Sequence, residues 1–129
     1  LPGAGYVTPR TSWKITGNMK DCDFACDGKF DTAATAPAGA QAYVTIDLGK
    51  PCMFNFIAID HGRDYDAFAK RVQIATSADG RNFTPQIVGP GTRRVSNFLL
   101  RRGVLARYVR ITVVEPGSRP WSVAEIYLQ

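Results

Sequence analysis

The sequence predicts an all-β protein, built as a sandwich or barrel from about eight short strands. Apolar and polar residues alternate with the period of a half-buried strand, most clearly at 43–48 and 108–114. Turn residues such as Asp79-Gly80 and Pro116-Gly117 separate such segments at intervals of roughly ten residues. No stretch has a helical period long enough to predict a substantial helix.

The predicted strands cover 12–19, 43–48, 53–59, 71–76, 83–88, 94–100, 108–114 and 123–128. We expect Gly49-Lys50-Pro51 and Gly89-Pro90-Gly91 to end the strands before them, because glycine and proline interrupt strand pairing. The segment 53–59 is more continuously apolar, as a central strand would be. Residues 20–42 form a long loop with few large apolar side chains, and such a loop needs a function or an anchor.

Length and composition predict one soluble globular domain over residues 1–129. The start at Leu1 without Met suggests a piece of a larger protein. No apolar run approaches the ~18 residues that cross a bilayer. The net charge is +5 and arginine dominates it. Such a surface either attracts anionic partners or keeps the strands soluble and protects the sheet edges.

The three cysteines do not predict a disulfide framework, because their number is odd. Cys52 begins an apolar strand and is expected to be a small buried side chain. Cys22 and Cys26 could form a bond if the loop curls, and the sequence leaves this open. A zinc site is not expected, since the single histidine, His61, lies far from any cysteine pair with finger-like spacing.

The sequence offers little from which to build an active site. It has one histidine, no Gly-x-Ser-x-Gly elbow and no phosphate-binding loop. Asp64 and Asp66 are paired carboxylates, but two acids in a loop are common. We therefore interpret the chain as a binding module and not as an enzyme.

Five motifs, in order, resemble the coagulation factor V/VIII type C, or discoidin, domain, and especially its bacterial version, the family 32 carbohydrate-binding modules. They are Asp27-Gly28 followed by Thr32, Thr45-Ile46-Asp47-Leu48-Gly49-Lys50-Pro51, Ser77-Ala78-Asp79-Gly80-Arg81-Asn82-Phe83, Ala106-Arg107-Tyr108-Val109-Arg110-Ile111 and Ala124-Glu125-Ile126. The resemblance runs from about Trp13 to Leu128. It implies a galactose-binding-like jelly-roll β-sandwich of antiparallel strands, with a structural calcium and a ligand site in the loops at one end.

The implied calcium site joins the early Asp-Gly loop to the last strand. In the family its ligands would be the Asp27 and Glu125 side chains, Thr32, and the backbone carbonyls of Phe24, Lys29 and Ala124. Such a mixture of oxygens suits Ca²⁺, and Gly28 lets the loop bend inward. The alternative is a plain turn at Asp27-Gly28 and a strand-face acid at Glu125.

The implied ligand site contains Arg63, His61, Asp64, Tyr65, Asp66 and Trp121. Arg63 would bind vicinal hydroxyls or a carboxylate through two parallel hydrogen bonds, and Trp121 would stack on a sugar ring. Each has an alternative: Trp121 as packing, Arg63 paired within an aspartate cluster, His61 as loop support. The Trp-His pair of galactose-binding members is replaced by Ala33-Ala34-Thr35, so simple galactose specificity is not predicted.

Three functions remain open from the sequence. The first is a non-catalytic carbohydrate-binding module with a structural calcium, appended to a secreted glycoside-active enzyme. The others are a ligand-free structural spacer domain of a larger enzyme and a discoidin domain that binds proteins or anionic surfaces. We expect a monomeric module in an extracellular or periplasmic location. Its partner would be a neutral or acidic glycan, with no nucleic acid and no membrane insertion.

Overall fold

The computed structural model describes residues 6–37 and 41–129. Residues 1–5 of the N-terminal segment and 38–40 of the predicted long loop lie outside these ranges. The described residues form eight β-strands and two short 3-10 helices, which confirms the predicted all-β class. None of their helices is long and apolar enough to cross a bilayer.

The elements run in the following order. The strands are β1 Lys14–Gly17, β2 Ala34–Thr35, β3 Tyr43–Asp60, β4 Arg71–Ser77, β5 Thr84–Pro90, β6 Val95–Glu115, β7 Ser122–Val123 and β8 Glu125–Leu128, and the 3-10 helices are Arg10–Ser12 and Cys22–Cys26. The predicted long loop therefore contains a 3-10 helix and a short strand. The predicted last strand, 123–128, is two strands that meet at Ala124.

Two predicted breaks between strands are wrong. β3 continues from 43–48 into 53–59, and β6 joins the predicted strands 94–100 and 108–114. Gly49-Lys50-Pro51 lies inside β3, where the pairing with β6 slips between Asp47 and Cys52. A bulge of this kind absorbs extra residues and bends the strand. Gly49 has the positive φ of +86° that such a bulge favours, and its N–H donates to Asp47 Oδ1 at 2.8 Å.

The bends let one sheet fold into two layers. Its strand order is β1-β3-β6-β4-β5, and β8 also pairs with β3. The first half of β3 pairs with β1 and with the second half of β6. The second half of β3 pairs with β8 and with the first half of β6. β2 and β7 form a separate two-stranded antiparallel sheet.

Both layers bury their inward-facing side chains in one core. Ile46 and Ile111 come from one layer, and Ile57, Phe98 and Ile126 come from the other. This follows from the period-two alternation of the strands, which sends every second side chain inward. Cys52 is fully buried, as predicted, and all three cysteines are free thiols.

Backbone hydrogen bonds tie together the loops that connect these strands. The N–H of His61 donates to the carbonyl of Arg94 at 2.8 Å, and that of Ser122 donates to Ala67 at 3.1 Å. The N–H of Lys70 donates to Glu115 at 3.0 Å. The loops 61–70, 91–94 and 116–121 therefore form one connected surface, which is called the loop end below.

Candidate functional site

Asp27 and Glu125, predicted to meet, are brought together. The N–H of Gly28, beside Asp27, donates to Glu125 Oε2 at 3.0 Å across 97 positions of sequence. Gly28 has a φ of +77°, so the loop turns as expected for glycine. The Thr32 hydroxyl donates to Asp27 Oδ2, and the Lys29 N–H donates to Asp27 Oδ1 at 2.9 Å. We call Arg10, Asp27, Gly28, Thr32 and Glu125 the clasp.

Arg10 is the member of the clasp that the sequence did not predict. Its Nη1 forms an ion pair with Glu125 Oε1, and its guanidinium carbon lies 4.3 Å from the centre of the Tyr127 ring. Glu125 itself is 3% exposed. A buried carboxylate needs hydrogen bonds or opposite charge, and Arg10 supplies part of both.

The two acids of the clasp have opposite pKa shifts. Burial raises the pKa of Glu125 to about 7, and the neighbouring Asp27 adds to this increase, against the lowering effects of the Gly28 N–H and Arg10. Burial also acts to raise the pKa of Asp27, but the hydrogen bonds from Thr32 and Lys29 outweigh it and the net shift is downward. Glu125 is therefore the acid of the two whose protonated form burial favours, in spite of its ion pair with Arg10.

The chemistry of the clasp fits a calcium ion. Two carboxylates and a hydroxyl converge, and Ca²⁺ prefers oxygen ligands of these kinds. The loop 61–70 packs closely against this site: a β-carbon on Gly62 would lie 2.6 Å from the Ala124 Cβ and 3.1 Å from the Phe30 carbonyl oxygen. Within residues 6–37 and 41–129, no three acidic, histidine or cysteine side chains come together. The predicted calcium ligands agree with this, since only Asp27 and Glu125 are acidic and the other oxygens come from Thr32 and the carbonyls of Phe24, Lys29 and Ala124.

The predicted ligand residues Asp64, Tyr65 and Asp66 lie at the loop end. Asp64 forms an ion pair with Arg119: its Oδ2 accepts a hydrogen bond from Nη2 at 3.1 Å, and its Oδ1 lies 3.0 Å from Nε. Asp66 accepts one from Arg93 Nε at 3.0 Å. Both aspartates are thus engaged by arginines that the sequence analysis did not single out. Arg63 is exposed in the same loop.

His61 does not belong to the exposed surface, which corrects its place among the ligand residues. Its side chain is fully buried. Nδ1 lies 2.7 Å from the Ser122 carbonyl oxygen, and Nε2 lies 2.8 Å from Ser96 Oγ. Burial lowers the pKa of the ring, so the neutral form is favoured. His61 therefore supports the loops, which is the alternative that the sequence left open.

Trp121 is also buried, at 4% exposure, and so is not a free stacking surface for a sugar. Its Nε1 is a buried donor with no hydrogen-bond partner among the described residues. Trp121 instead lines a cavity of about 510 Å³ together with Pro37, Gln41, Pro116, Arg119 and Pro120. This volume is within the range of small-molecule sites, about 300–1,000 Å³. Ala33-Ala34-Thr35 stands where galactose-binding members have a Trp-His pair, and its buried Ala34 is the first residue of β2.

Several solved structures share this fold. CpGH89CBM32-5 from Clostridium perfringens, in complex with GalNAc-β-1,3-galactose, has a TM-score of 0.83 and 18% identity and covers 93% of this chain and 96% of its own. The family 32 module of C. perfringens NanJ, in complex with galactose, has a TM-score of 0.81 and 18% identity over 93% and 95% of the two chains. The family 32 module of AlyQ, with 4,5-unsaturated mannuronic acid, has a TM-score of 0.75 and 23% identity over 90% and 93%.

The jelly-roll sandwich that the sequence motifs implied is thus confirmed by shape as well as by strand content. No curated protein matches the sequence. The model of the F5/8 type C domain family, however, matches residues 9–126, which is most of the chain. This chain belongs to the F5/8 type C domain family.

Proposed function

We propose that this chain is a non-catalytic carbohydrate-binding module. The observation that carries the proposal is the cavity at the loop end. It combines an apolar lining of prolines, beside the buried Trp121, with the polar side chains of Gln41 and Arg119. Sugars need this combination, because their ring C–H groups pack on apolar surface while their hydroxyls form hydrogen bonds. The family 32 modules with the same fold were solved with galactose, GalNAc-β-1,3-galactose and 4,5-unsaturated mannuronic acid, which supports a glycan ligand of either charge.

In this proposal Trp121 forms part of the cavity wall and holds its shape. Gln41 and Arg119 supply the hydrogen bonds that orient the sugar, and the ion pair with Asp64 keeps the Arg119 guanidinium in place. The module would hold a secreted glycoside-active enzyme near its substrate, where tethering compensates for weak affinity. Modules of the same fold come from a family 31 glycoside hydrolase and from a chitosanase/glucanase.

The test is isothermal titration with a panel of neutral and acidic oligosaccharides. Gln41→Ala removes one cavity side chain at an exposed position, and Arg102→Ala is a control at an exposed position of β6 outside the cavity. A lost hydrogen bond of about 1 kcal/mol predicts a roughly fivefold weaker affinity for Gln41→Ala and no change for the control. A module that binds no glycan of the panel, or a Gln41→Ala variant that binds like the wild type, contradicts this assignment.

The proposal includes a structural calcium in the clasp. The ion would neutralise Asp27 and Glu125, and Thr32 with the carbonyls of Phe24, Lys29 and Ala124 would complete its ligands. Its role would be to attach the loop after the 3-10 helix Cys22–Cys26 to β8. Thermal unfolding in CaCl₂ and in EDTA tests this proposal, since a ligand of the folded state raises the unfolding temperature. Identical unfolding in the two buffers, with no calcium detected in the protein, would exclude the ion.

A further inference from the structure

Two guanidinium groups lie against one tyrosine ring at the loop end. The guanidinium carbons of Arg93 and Arg94 lie 4.2 and 5.4 Å from the centre of the Tyr65 ring. Tyr65 is 39% exposed, so solvent reaches this group. Arg63 lies in the same loop and is exposed as well. We call Arg63, Tyr65, Arg93 and Arg94 the arginine patch.

The charge of the arginine patch is only partly balanced. Asp66 pairs with Arg93, and Asp64 pairs with Arg119. In the part of the chain that the structure describes, no carboxylate lies within ion-pair distance of Arg63 or Arg94. Two exposed guanidinium groups therefore remain free to bind an anion from outside.

The backbone of Arg94 is held in an unusual conformation. Its φ is +70°, in the left-handed region that side chains other than glycine, asparagine and aspartate seldom adopt. Its N–H donates to the Tyr65 carbonyl at 2.9 Å, and its carbonyl accepts from the His61 N–H at 2.8 Å. Arg94 thus closes the loop in which Arg63 is the middle residue. Strained residues that the surrounding structure fixes in this way cluster at binding sites.

The turn 92–96, which carries Arg94, is held by hydrogen bonds to the buried side chains of Ser96 and His61. The Ser96 hydroxyl oxygen accepts a hydrogen bond from the Thr92 N–H at 3.0 Å and lies 2.8 Å from His61 Nε2. The other ring nitrogen of His61 lies 2.7 Å from the Ser122 carbonyl oxygen, at the start of β7. The buried imidazole thus connects this turn to the strand that follows the cavity loop 116–121. This support orders Arg94 before any ligand arrives, which reduces the entropy lost on binding.

We infer that the arginine patch is a subsite for a carboxylate or sulfate group of an acidic glycan. This inference rests on the proposed carbohydrate-binding function and names the class of its ligand. A guanidinium offers parallel N–H donors whose spacing matches the oxygens of both anions. Arg63 and Arg94 bind the anion, while Arg93, held by Asp66, covers the Tyr65 ring. Arg119 lines the cavity and pairs with Asp64, the residue between Arg63 and Tyr65, so the cavity adjoins the arginine patch and one acidic oligosaccharide can reach both.

The experiment compares three tetrasaccharides by isothermal titration: a neutral galactotetraose, a carboxylated tetragalacturonate and a sulfated, carboxylate-free carrageenan fragment. The variants are Arg94→Gly, which removes the guanidinium at a position where glycine is unstrained, and Arg63→Ala. Arg102→Ala is the control, because this exposed arginine lies in β6, eight residues after Arg94 and outside the arginine patch. The two acidic probes distinguish a carboxylate from a sulfate.

We expect the wild type to bind at least one acidic probe more tightly than galactotetraose. Arg94→Gly should weaken that probe about tenfold, as the loss of a charge-assisted hydrogen bond predicts, and leave the neutral probe unchanged. A module that binds only galactotetraose would overturn this inference and leave the proposed function intact. An equal loss in Arg102→Ala and Arg94→Gly would show non-specific charge attraction and would also overturn the inference. Binding of none of the three probes contradicts both.

Discussion

Gly62→Ala should be one of the most damaging single-methyl changes in the molecule. Gly62 is buried with a φ of +67°, and its added Cβ would lie 2.6 Å from the Ala124 Cβ and 3.1 Å from the Phe30 carbonyl oxygen. The left-handed backbone costs an alanine about 1–2 kcal/mol. Overpacking adds about 1–3 kcal/mol, because Ala124 is fully buried between neighbouring strands and cannot move freely. The expected loss of unfolding free energy is therefore about 2–5 kcal/mol.

Gly49→Ala separates the two contributions. Gly49 has a similar positive φ of +86°, but its added Cβ meets no heavy atom of the described residues within 4 Å. This control should lose only the backbone part, about 1–2 kcal/mol. Urea unfolding followed by circular dichroism and by the fluorescence of the buried Trp13 and Trp121 measures both variants. If Gly62→Ala costs no more than Gly49→Ala, the close packing of the loop against Ala124 is refuted.

Two predictions concern ionisable groups. In metal-free protein, burial raises the pKa of Glu125 to about 7, so the charged carboxylate destabilises the folded state. This destabilisation is absent below the unfolded pKa of about 4.5, and the free energy of unfolding falls as the pH rises from there through 7. Calcium should offset that loss: its stabilising effect in thermal unfolding should be large at pH 8 and weaken about tenfold in apparent affinity for each pH unit below 7, since protons compete for Glu125. An equal calcium effect at pH 5.5 and pH 8, or one that survives in Glu125→Gln, would count against the clasp. The pKa of His61 is lowered by burial, so its neutral form stabilises the fold above pH 6.5 and this contribution is lost as the pH falls. His61→Ala should cost about 2–4 kcal/mol in urea unfolding at pH 7.5 and less at pH 5.5, and a loss that does not depend on pH would contradict the buried neutral imidazole.

The strand pattern could be predicted from the sequence because alternation is a local property. Segments such as 43–48 and 108–114 show their buried face directly in the order of residues. The continuity of β3 through Gly49-Lys50-Pro51 could not be predicted in the same way. Local turn residues favour an end there, but the partner strand β6 continues alongside and a bulge accommodates the glycine. Tertiary pairing therefore overrides the local signal.

The candidate site was predictable where the residues have characteristic chemistry in family positions. Asp27, Thr32 and Glu125 belong to motifs and do converge. Arg10 was not predictable, because it pairs with Glu125 across 115 positions and belongs to no motif. Burial of His61 and Trp121 depends on neighbours that sequence periodicity does not reveal. The left-handed Arg94 carries no sequence signal either, since arginine is not a residue type that favours this conformation.

The passage of β3 and β6 through both layers bears on how the domain opens. A fluctuation that detaches one layer must break hydrogen bonds along strands that the other layer also uses. Partial opening is then nearly as costly as global unfolding, and amide hydrogens on both halves of β3 should exchange with deuterium at a common slow rate. The loop end is therefore supported by two layers that are expected to unfold together, in a single cooperative step.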